Sequence, residues 1–436
     1  MSALAQLHAM SGDNVSGSDR LLDKGYAGLP LWEKLQKLGI SFTSQNGSGV
    51  NAGLDALVLS SAIESDNPEL ARAKELNIPV IHRSEMLADH VAKFKTTAVC
   101  GTSGKSTVTA MIYEILARAG KSPSLITGGQ LISLQERGLW GNVFKGKSDL
   151  LVIEADESDG SLVNYHPEIA VMLNLTKDHK DLETLRGFFK KFRPNCGKFL
   201  VNADEPNLAE FEATATFGIK SGNLRAEKVE LDGFSCRFSA AGENFKVNFP
   251  GIHNVQNSLA AIAVCMELGV SPAFCASGLA EFKGVMRRFA SVGKRGGVEV
   301  IDDFAHNPAK ISAVLAAAKL RGKRVLAVWQ PHGYAPVKLL KEELIEAFAA
   351  SLSPEDRLWL PEIYYIGGTA EKDVSSKDIA DALSARGINA VFALKRETII
   401  PEIAAAAKPG DVVMVMGARD PTISDYARSI LRGLGS

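Results

Sequence analysis

Thr97-Ala98-Val99-Cys100 runs straight into Gly101-Thr102-Ser103-Gly104-Lys105-Ser106-Thr107, and an apolar-faced helix is predicted from Val108 to Ala119. A buried strand, a glycine-rich turn and a helix in immediate succession make up the phosphate-holding unit of an α/β fold. Backbone N–H groups in such a turn point at phosphate oxygens, and the helix N-terminus adds a favourable field. Lys105 is then placed for the β- and γ-phosphates and the Ser106 hydroxyl for Mg²⁺. The longer GxxxxGK[ST] pattern is not matched, because Val99 stands where it requires glycine. The alternative is a fortuitous glycine turn with a solvated lysine.

Outward from this turn, two more strands are predicted, Leu150 to Ile153 and Ile169 to Leu173, each ending in a polar cluster. The first ends in Glu154-Ala155-Asp156-Glu157-Ser158-Asp159, four acids in six residues. Carboxylates at the carboxyl end of a parallel strand stand where open α/β sheets bind ligands. Their mutual repulsion calls for a cation, and hard oxygen donors suit Mg²⁺. A solvated acidic loop is the alternative. The second strand leads to Asn174 and then Asp178-His179. His179 could hold a second Mg²⁺ or position an acyl-phosphate, although a lone histidine is more often a packing residue. Three sequential strands would bring Lys105, Glu154 and His179 to one edge.

A β-rich stretch follows from Leu200 to Phe249, then Gly251-Ile252-His253-Asn254-Val255-Gln256-Asn257 at the start of a helix read as Val255 to Leu268. The asparagine amides can match the donor–acceptor edge of adenine. Asn254 could equally be a helix N-cap. Beyond Val285 the chain alternates again, with strands at Val298 to Ile301, Val325 to Trp329, Leu358 to Leu360 and Val412 to Met416. Arg287 and Arg288 precede this block. An arginine there could clamp a transferring phosphoryl group, but Arg287 reads as a surface charge. Asp303, in Asp302-Asp303-Phe304-Ala305-His306-Asn307-Pro308, ends a strand in ligand position.

The first block, to about residue 93, has predicted buried parallel strands at Leu57-Val58-Leu59 and Val80-Ile81 and helices at Leu31 to Leu38 and Pro68 to Leu76. The whole reads as an α/β protein of three domains: a Rossmann-like domain over 1–93, a central P-loop ATPase-type domain over 94–284 and a Rossmann-like C-terminal domain over 285–436. The length of 436 residues supports more than one core. A formal net charge of -1 gives no bulk attraction for nucleic acid or an anionic membrane surface. No apolar run reaches the roughly 18–20 residues of a spanning helix. Five scattered cysteines without a CxxC pair suit neither a disulfide framework nor a zinc knuckle, and point to a reduced, cytoplasmic setting. The oligomeric state is not legible.

These motifs in this order resemble the Mur ligase family, most closely its alanine-adding branch, over nearly the whole chain. The residues carrying the resemblance begin with Ser16-Gly17-Ser18-Asp19, Ser60-Ser61-Ala62-Ile63 and Asn67-Pro68, and continue through the Gly101–Thr107 loop, the Glu154–Ser161 stretch and Asp178-His179. They end with His253 to Asn257, Arg287-Arg288-Phe289, Asp302 to Pro308 and Gln330-Pro331-His332. The resemblance implies a UDP-sugar-binding domain, an ATPase domain and an amino-acid-binding domain. It implies that ATP is held by Gly101, Thr102, Ser103, Gly104, Lys105, Ser106 and Thr107, and that Ser106, Glu154 and His179 serve the magnesium ions. Asn254 and Asn257 would lie by adenine, with Arg288 and Asp303 on the nucleotide. The expected catalytic set is Lys105, Glu154, His179, Arg288 and Asp303. The substrates implied are a UDP-sugar acid and an amino acid or short peptide, joined through an acyl-phosphate in cell-wall synthesis.

Three departures accompany the resemblance. Met1 aligns just after the family's first strand and GxGGxG turn. The segment after His179 is several residues shorter than in the alanine-adding enzymes, whereas Phe189, where some relatives carbamylate a lysine, agrees with that branch, which also lacks the lysine. Gly333, Pro336 and Asn307 stand where alanine-adding enzymes carry arginines and a histidine. A tripeptide-adding relative and a degenerate nucleotide-binding homologue are the competing readings. A folylpolyglutamate synthase relation is weaker, because it gives no reason for the Glu154–Asp159 or Ser16–Asp19 motifs.

Overall fold

The β-branched and apolar run from Thr96 to Cys100 is buried along its whole length, as a strand covered on both faces must be. It is the strand Lys95–Cys100, and it lies between Leu150–Glu154 and Ile169–Met172 in an eight-stranded sheet. The computed structural model describes residues 1–25, 30–60, 63–177, 181–365 and 371–435. From one edge to the other the strands run Leu224–Arg225, Ala215–Gly218, Lys198–Asn202, Ile169–Met172, Lys95–Cys100, Leu150–Glu154, Ser124–Ile126 and Val143–Phe144. The pairings are parallel except the last, which is antiparallel.

Register matters more than strand count here. Val99 lies opposite both Glu154 and Val171, and Ile126 lies opposite Ile153. The residues that follow, Gly101, Ala155, Leu173 and Thr127, therefore leave the sheet along one edge. The helix Lys105–Arg118 starts directly from the turn, three residues earlier than its apolar face suggests.

The chain forms two compact units, one of 1–225, 241–243 and 257–284, the other of 226–240, 244–256 and 285–436. In the first, Leu4 and Leu7 from the helix Ser2–Ser11 and Leu87 and Val91 from Arg83–Lys93 join a core with Ala98, Cys100, Met172 and Phe189. Burying each large apolar side chain stabilises by roughly 1.5–3 kcal/mol. Phe189, where some relatives carry a modified lysine, is fully buried in that core. The N-terminal strands Leu57–Leu59 and Val80–His82 pair in parallel as expected. They are not buried: Leu57, Val58 and Leu59 are half-covered and Val80 is 40% exposed. This two-stranded sheet is covered too thinly to bury a strand on both faces.

The second unit holds a three-stranded antiparallel sheet and a six-stranded sheet. The order in the latter is Ala290–Arg295, Val298–Asp303, Val412–Gly417, Val325–Gln330, Arg357–Pro361 and Ala390–Ala393. Only its first pair is antiparallel. Alternate residues feed two cores: Val325, Ala327 and Trp329 face one, Leu326 and Val328 the other. Helices cover both faces, which is the doubly wound arrangement that the sequence pattern predicts. Among the described residues no helix is long and apolar enough to cross a membrane.

Candidate functional site

The Gly101–Thr107 turn is shaped by two glycines with φ of 127° and 87°, at Gly101 and Gly104, a region that L side chains rarely adopt. A Cβ on Gly104 would lie 2.6 Å from Asn257 Oδ1, and one on Gly101 3.0 Å from the Asn174 carbonyl. Asn174 clamps the turn from the neighbouring strand. Its Oδ1 accepts from Thr102 Oγ1 at 2.9 Å and from the Ser103 amide at 2.8 Å, while its Nδ2 donates to the Ser103 carbonyl at 3.0 Å. The Thr102 hydroxyl also accepts from the Thr176 amide at 3.0 Å. The Ser103 hydroxyl is buried without a hydrogen-bond partner, as suits a turn built to receive an acceptor.

Lys105 Nζ donates to the Gly101 carbonyl at 2.8 Å and to Glu157 Oε2 at 2.7 Å, with Asp156 Oδ1 at 3.7 Å. The Lys105 and Glu157 side chains are 10% and 4% exposed, so this is a buried ion pair. Burial alone would favour neutral lysine, but Glu157, Asp156 and Glu154 outweigh it and raise the Lys105 pKa. Burial also pushes the Glu157 carboxyl upward, against the pull of Lys105. Arg83 pairs with Asp159, and Ser158 bonds Asp156. Lys105 and Arg83 thus supply positive charge among these acids. Among the described residues no group of three or more His, Cys, Asp or Glu is placed to hold a metal ion.

Glu154 is held differently. Its Oε1 accepts from Ser106 Oγ at 3.1 Å, and its Oε2 accepts from both Thr127 Oγ1 and the Gly128 amide at 2.8 Å. The Ser106 hydroxyl and the Glu154 carboxylate form a pair of hard oxygen donors beside the phosphate-type turn, a donor set that fits Mg²⁺ when phosphate and water complete the shell. Sequence reasoning missed Thr127 and Gly128. Their signal is Thr127-Gly128-Gly129 just after the short strand Ser124–Ile126, on the edge where Glu154 emerges. It also missed Glu157 as the lysine's partner and Asn174 as the clamp.

Asp178 and His179 lie outside the described residues. Asn257 stands against the turn through its contact at Gly104. Asn254 is inside the first turn of the helix Ile252–Glu267, not at its N-cap, and its Nδ2 donates to the Pro250 carbonyl at 2.8 Å. His253 is half-buried, and desolvation of its ring pulls its pKa down to about 4.

In the second unit Asp303 ends the strand Val298–Asp303 and is 5% exposed. Its Oδ2 accepts from the Phe289 amide at 2.6 Å and its Oδ1 from the Ala305 amide at 2.7 Å. Burial raises its pKa to about 6, against the nearby Arg288 charge. Arg288 lies over the Phe304 ring, 5.1 Å from its centroid. Arg287 is not a surface charge. Its guanidinium bonds Asp302 Oδ1 at 3.3 Å and the Gly417 carbonyl and also lies over the Phe304 ring, 4.9 Å from the centroid. A buried acid and a strand-end carbonyl take up the charge that sequence alone leaves to solvent.

Residues 1–95, 99–265 and 287–419 match, respectively, the Mur ligase family catalytic domain, the Mur ligase middle domain and the Mur ligase glutamate ligase domain. The UDP-N-acetylmuramate–L-alanine ligase of Myxococcus xanthus is 34% identical over 444 residues, covering 97% of this chain and 90% of that protein. The chain belongs to the Mur ligase family. The UDP-N-acetylmuramate–L-alanine ligase of Geotalea daltonii is 35% identical over 96% of this chain and 92% of that protein. The UDP-N-acetylmuramate–alanine ligase structure from Thermotoga maritima superposes with a TM-score of 0.80 at 28% identity, covering 99% of this chain and 96% of that one. A murein peptide ligase from Psychrobacter arcticus shares the fold, with a TM-score of 0.69 at 23% identity over 100% of this chain and 96% of that one. This Mur ligase therefore has the family's three-domain α/β architecture and is an ATP-dependent ligase.

Proposed function

We propose that this Mur ligase joins L-alanine to the carboxylate of a UDP-N-acetylmuramate-type substrate, using ATP and Mg²⁺, in the reduced cytoplasm where cell-wall precursors are made. The observation that carries the reading is the convergence of Lys105, Ser106 and Glu154 at neighbouring strand tips, joined with the names of the relatives. The domain boundaries proposed are 1–93, 94–284 and 285–436.

The chemistry follows from charge. A carboxylate oxygen attacks the γ-phosphorus, ADP leaves, and the resulting acyl-phosphate carries a far better leaving group than hydroxide. The amine then adds to the acyl carbon, and the tetrahedral species collapses to amide and orthophosphate. Lys105 exchanges Glu157 for phosphate oxygens as negative charge shifts during transfer. Amides of Gly101 to Thr107 orient the phosphates. Magnesium ions, served by Ser106, Glu154 and the proposed ligand His179, would neutralise charge on the nucleotide. Asn254 and Asn257 are proposed for adenine, and Arg288 and Asp303 for the nucleotide from the C-terminal domain.

One further reading has a short peptide as the amine, and Gln330-Pro331-His332 and Gly417-Ala418, which resemble the alanine-adding branch, count against it. Orthophosphate release with ATP, Mg²⁺, UDP-N-acetylmuramate and a panel of amines tests both. Turnover with L-alanine supports the proposal. Turnover with a tripeptide alone replaces it with the second reading, and no turnover with any amine overturns both.

A further inference from the structure

Glu154 has one oxygen facing the phosphate-type turn and one facing away, and the second is held unusually firmly. Thr127 is 3% exposed, and its hydroxyl and the following amide both donate to Oε2 at 2.8 Å. The Gly129 amide in turn reaches Thr127 Oγ1 at 3.3 Å, which turns the hydroxyl proton toward the carboxylate. Strand register explains the meeting: Ile126 pairs with Ile153, so the next residue on each strand stands side by side. A Cβ on Gly128 would come within 3.3 Å of Oε2, a tight contact that a shift of a few tenths of an ångström would relieve.

The turn that carries Thr127 is itself anchored. The Thr127 amide donates to the Asn142 carbonyl at 3.0 Å, and the Asn142 side chain accepts from Gln6 Nε2 at 3.0 Å. Gln6 is fully buried. Two donors on one oxygen favour a single orientation of the carboxylate, with Oε1 on the Ser106 side, 3.1 Å from that hydroxyl.

We infer that Thr127 is a positioning residue for Glu154, presetting the Oε1–Ser106 oxygen pair for a divalent cation that accompanies the nucleotide. This rests on the nucleotide-and-metal reading above. Groups that orient a metal-binding side chain in this way typically change metal affinity about 10- to 100-fold when removed. Thr127→Val keeps the shape and deletes the donor; Thr127→Ser keeps the donor.

The test is binding of a fluorescent ADP analogue to the full chain, titrated with Mg²⁺ and repeated in EDTA. Thr127→Val is expected to need about 10- to 100-fold more Mg²⁺ for half of the metal-dependent gain in affinity, with metal-free affinity unchanged. Thr127→Ser is expected to restore the wild-type midpoint. If Thr127→Val does not fold, Thr127→Ala carries the same expectation. Coincident Mg²⁺ curves for wild type and the donor-less variant overturn the inference alone. So does an equal loss of affinity with and without Mg²⁺, since that marks a packing role. A wild-type affinity indifferent to Mg²⁺ overturns the metal reading beneath it as well.

Discussion

Lys105 Nζ lies 2.7 Å from Glu157 Oε2, and both side chains are withdrawn from solvent. The ammonium assigned to the nucleotide phosphates therefore has a carboxylate partner in the free chain. Phosphate has to compete for it, and the same pair links activity to stability.

Lys105→Met should abolish phosphate release, with kcat lowered by roughly 10³-fold or more. It also strands Glu157, and breaking a buried pair costs about 3–5 kcal/mol. The sign of the pH dependence follows from Glu157, whose pKa burial already raises. Without Lys105 the folded state prefers the protonated acid still more. Stability is then kept below the ordinary carboxylate pKa and lost as pH rises through the raised folded value. Denaturant unfolding at about pH 4 and about pH 7.5 should show the variant's deficit widening toward neutral pH. A deficit independent of pH contradicts the pairing.

Gly104 has φ of 87° and faces Asn257 Oδ1 where a Cβ would lie only 2.6 Å away. Gly104→Ala should therefore cost about 1–2 kcal/mol in backbone strain alone and displace either the turn or Asn257. Nucleotide affinity, read by calorimetry, should fall roughly tenfold or more. Unchanged affinity would mean that the turn does not hold phosphate in this shape.

Asp303, raised to about 6 by burial, destabilises the folded state once it ionises. Its contribution to stability is fully present below the ordinary Asp value of about 3.9. It is lost as pH rises through about 6. Asp303→Asn cannot titrate. The stability difference between wild type and this variant should shift across that window and be flat above it. A constant difference would show that Asp303 is not perturbed.

Arg287→Ala removes the bonds to Asp302 and to the Gly417 carbonyl and leaves Asp302, a 3%-exposed acid, without its guanidinium. The expected loss is about 2–4 kcal/mol, measured by urea unfolding. Lysine should recover little of it, since a point charge cannot bridge two acceptors as a guanidinium does. A loss below about 0.5 kcal/mol would return Arg287 to the surface-charge reading.

Most of the sheet architecture is legible in the sequence because parallel strands buried on both faces read as unbroken apolar runs. Thr97 to Cys100, Leu151 to Ile153 and Val412 to Met416 are such runs, and each forms the expected strand. The Gly101–Thr107 turn is legible for a related reason: positive φ at Gly101 and Gly104, with neighbours close to where a Cβ would lie, favours glycine at both. Contacts made across the sheet are not legible. Nothing local in Thr127 says that its hydroxyl meets an acid 27 residues on, because register decides that. Arg287 is misread for the same reason: its partner carbonyl belongs to Gly417, 130 residues away. The N-terminal strands are called correctly in position but too buried, since run length tells little about what packs on top.

The account stands most directly on the route taken by one oxygen atom. Both carboxylate oxygens of UDP-N-acetylmuramate are labelled with ¹⁸O, the ligation is run with ATP, Mg²⁺ and L-alanine, and the orthophosphate released is weighed by mass spectrometry. Activation of the carboxylate by phosphoryl transfer at the Lys105 and Glu154 edge predicts one ¹⁸O in each orthophosphate. Orthophosphate that carries no label, formed at the rate of amide synthesis, would contradict it.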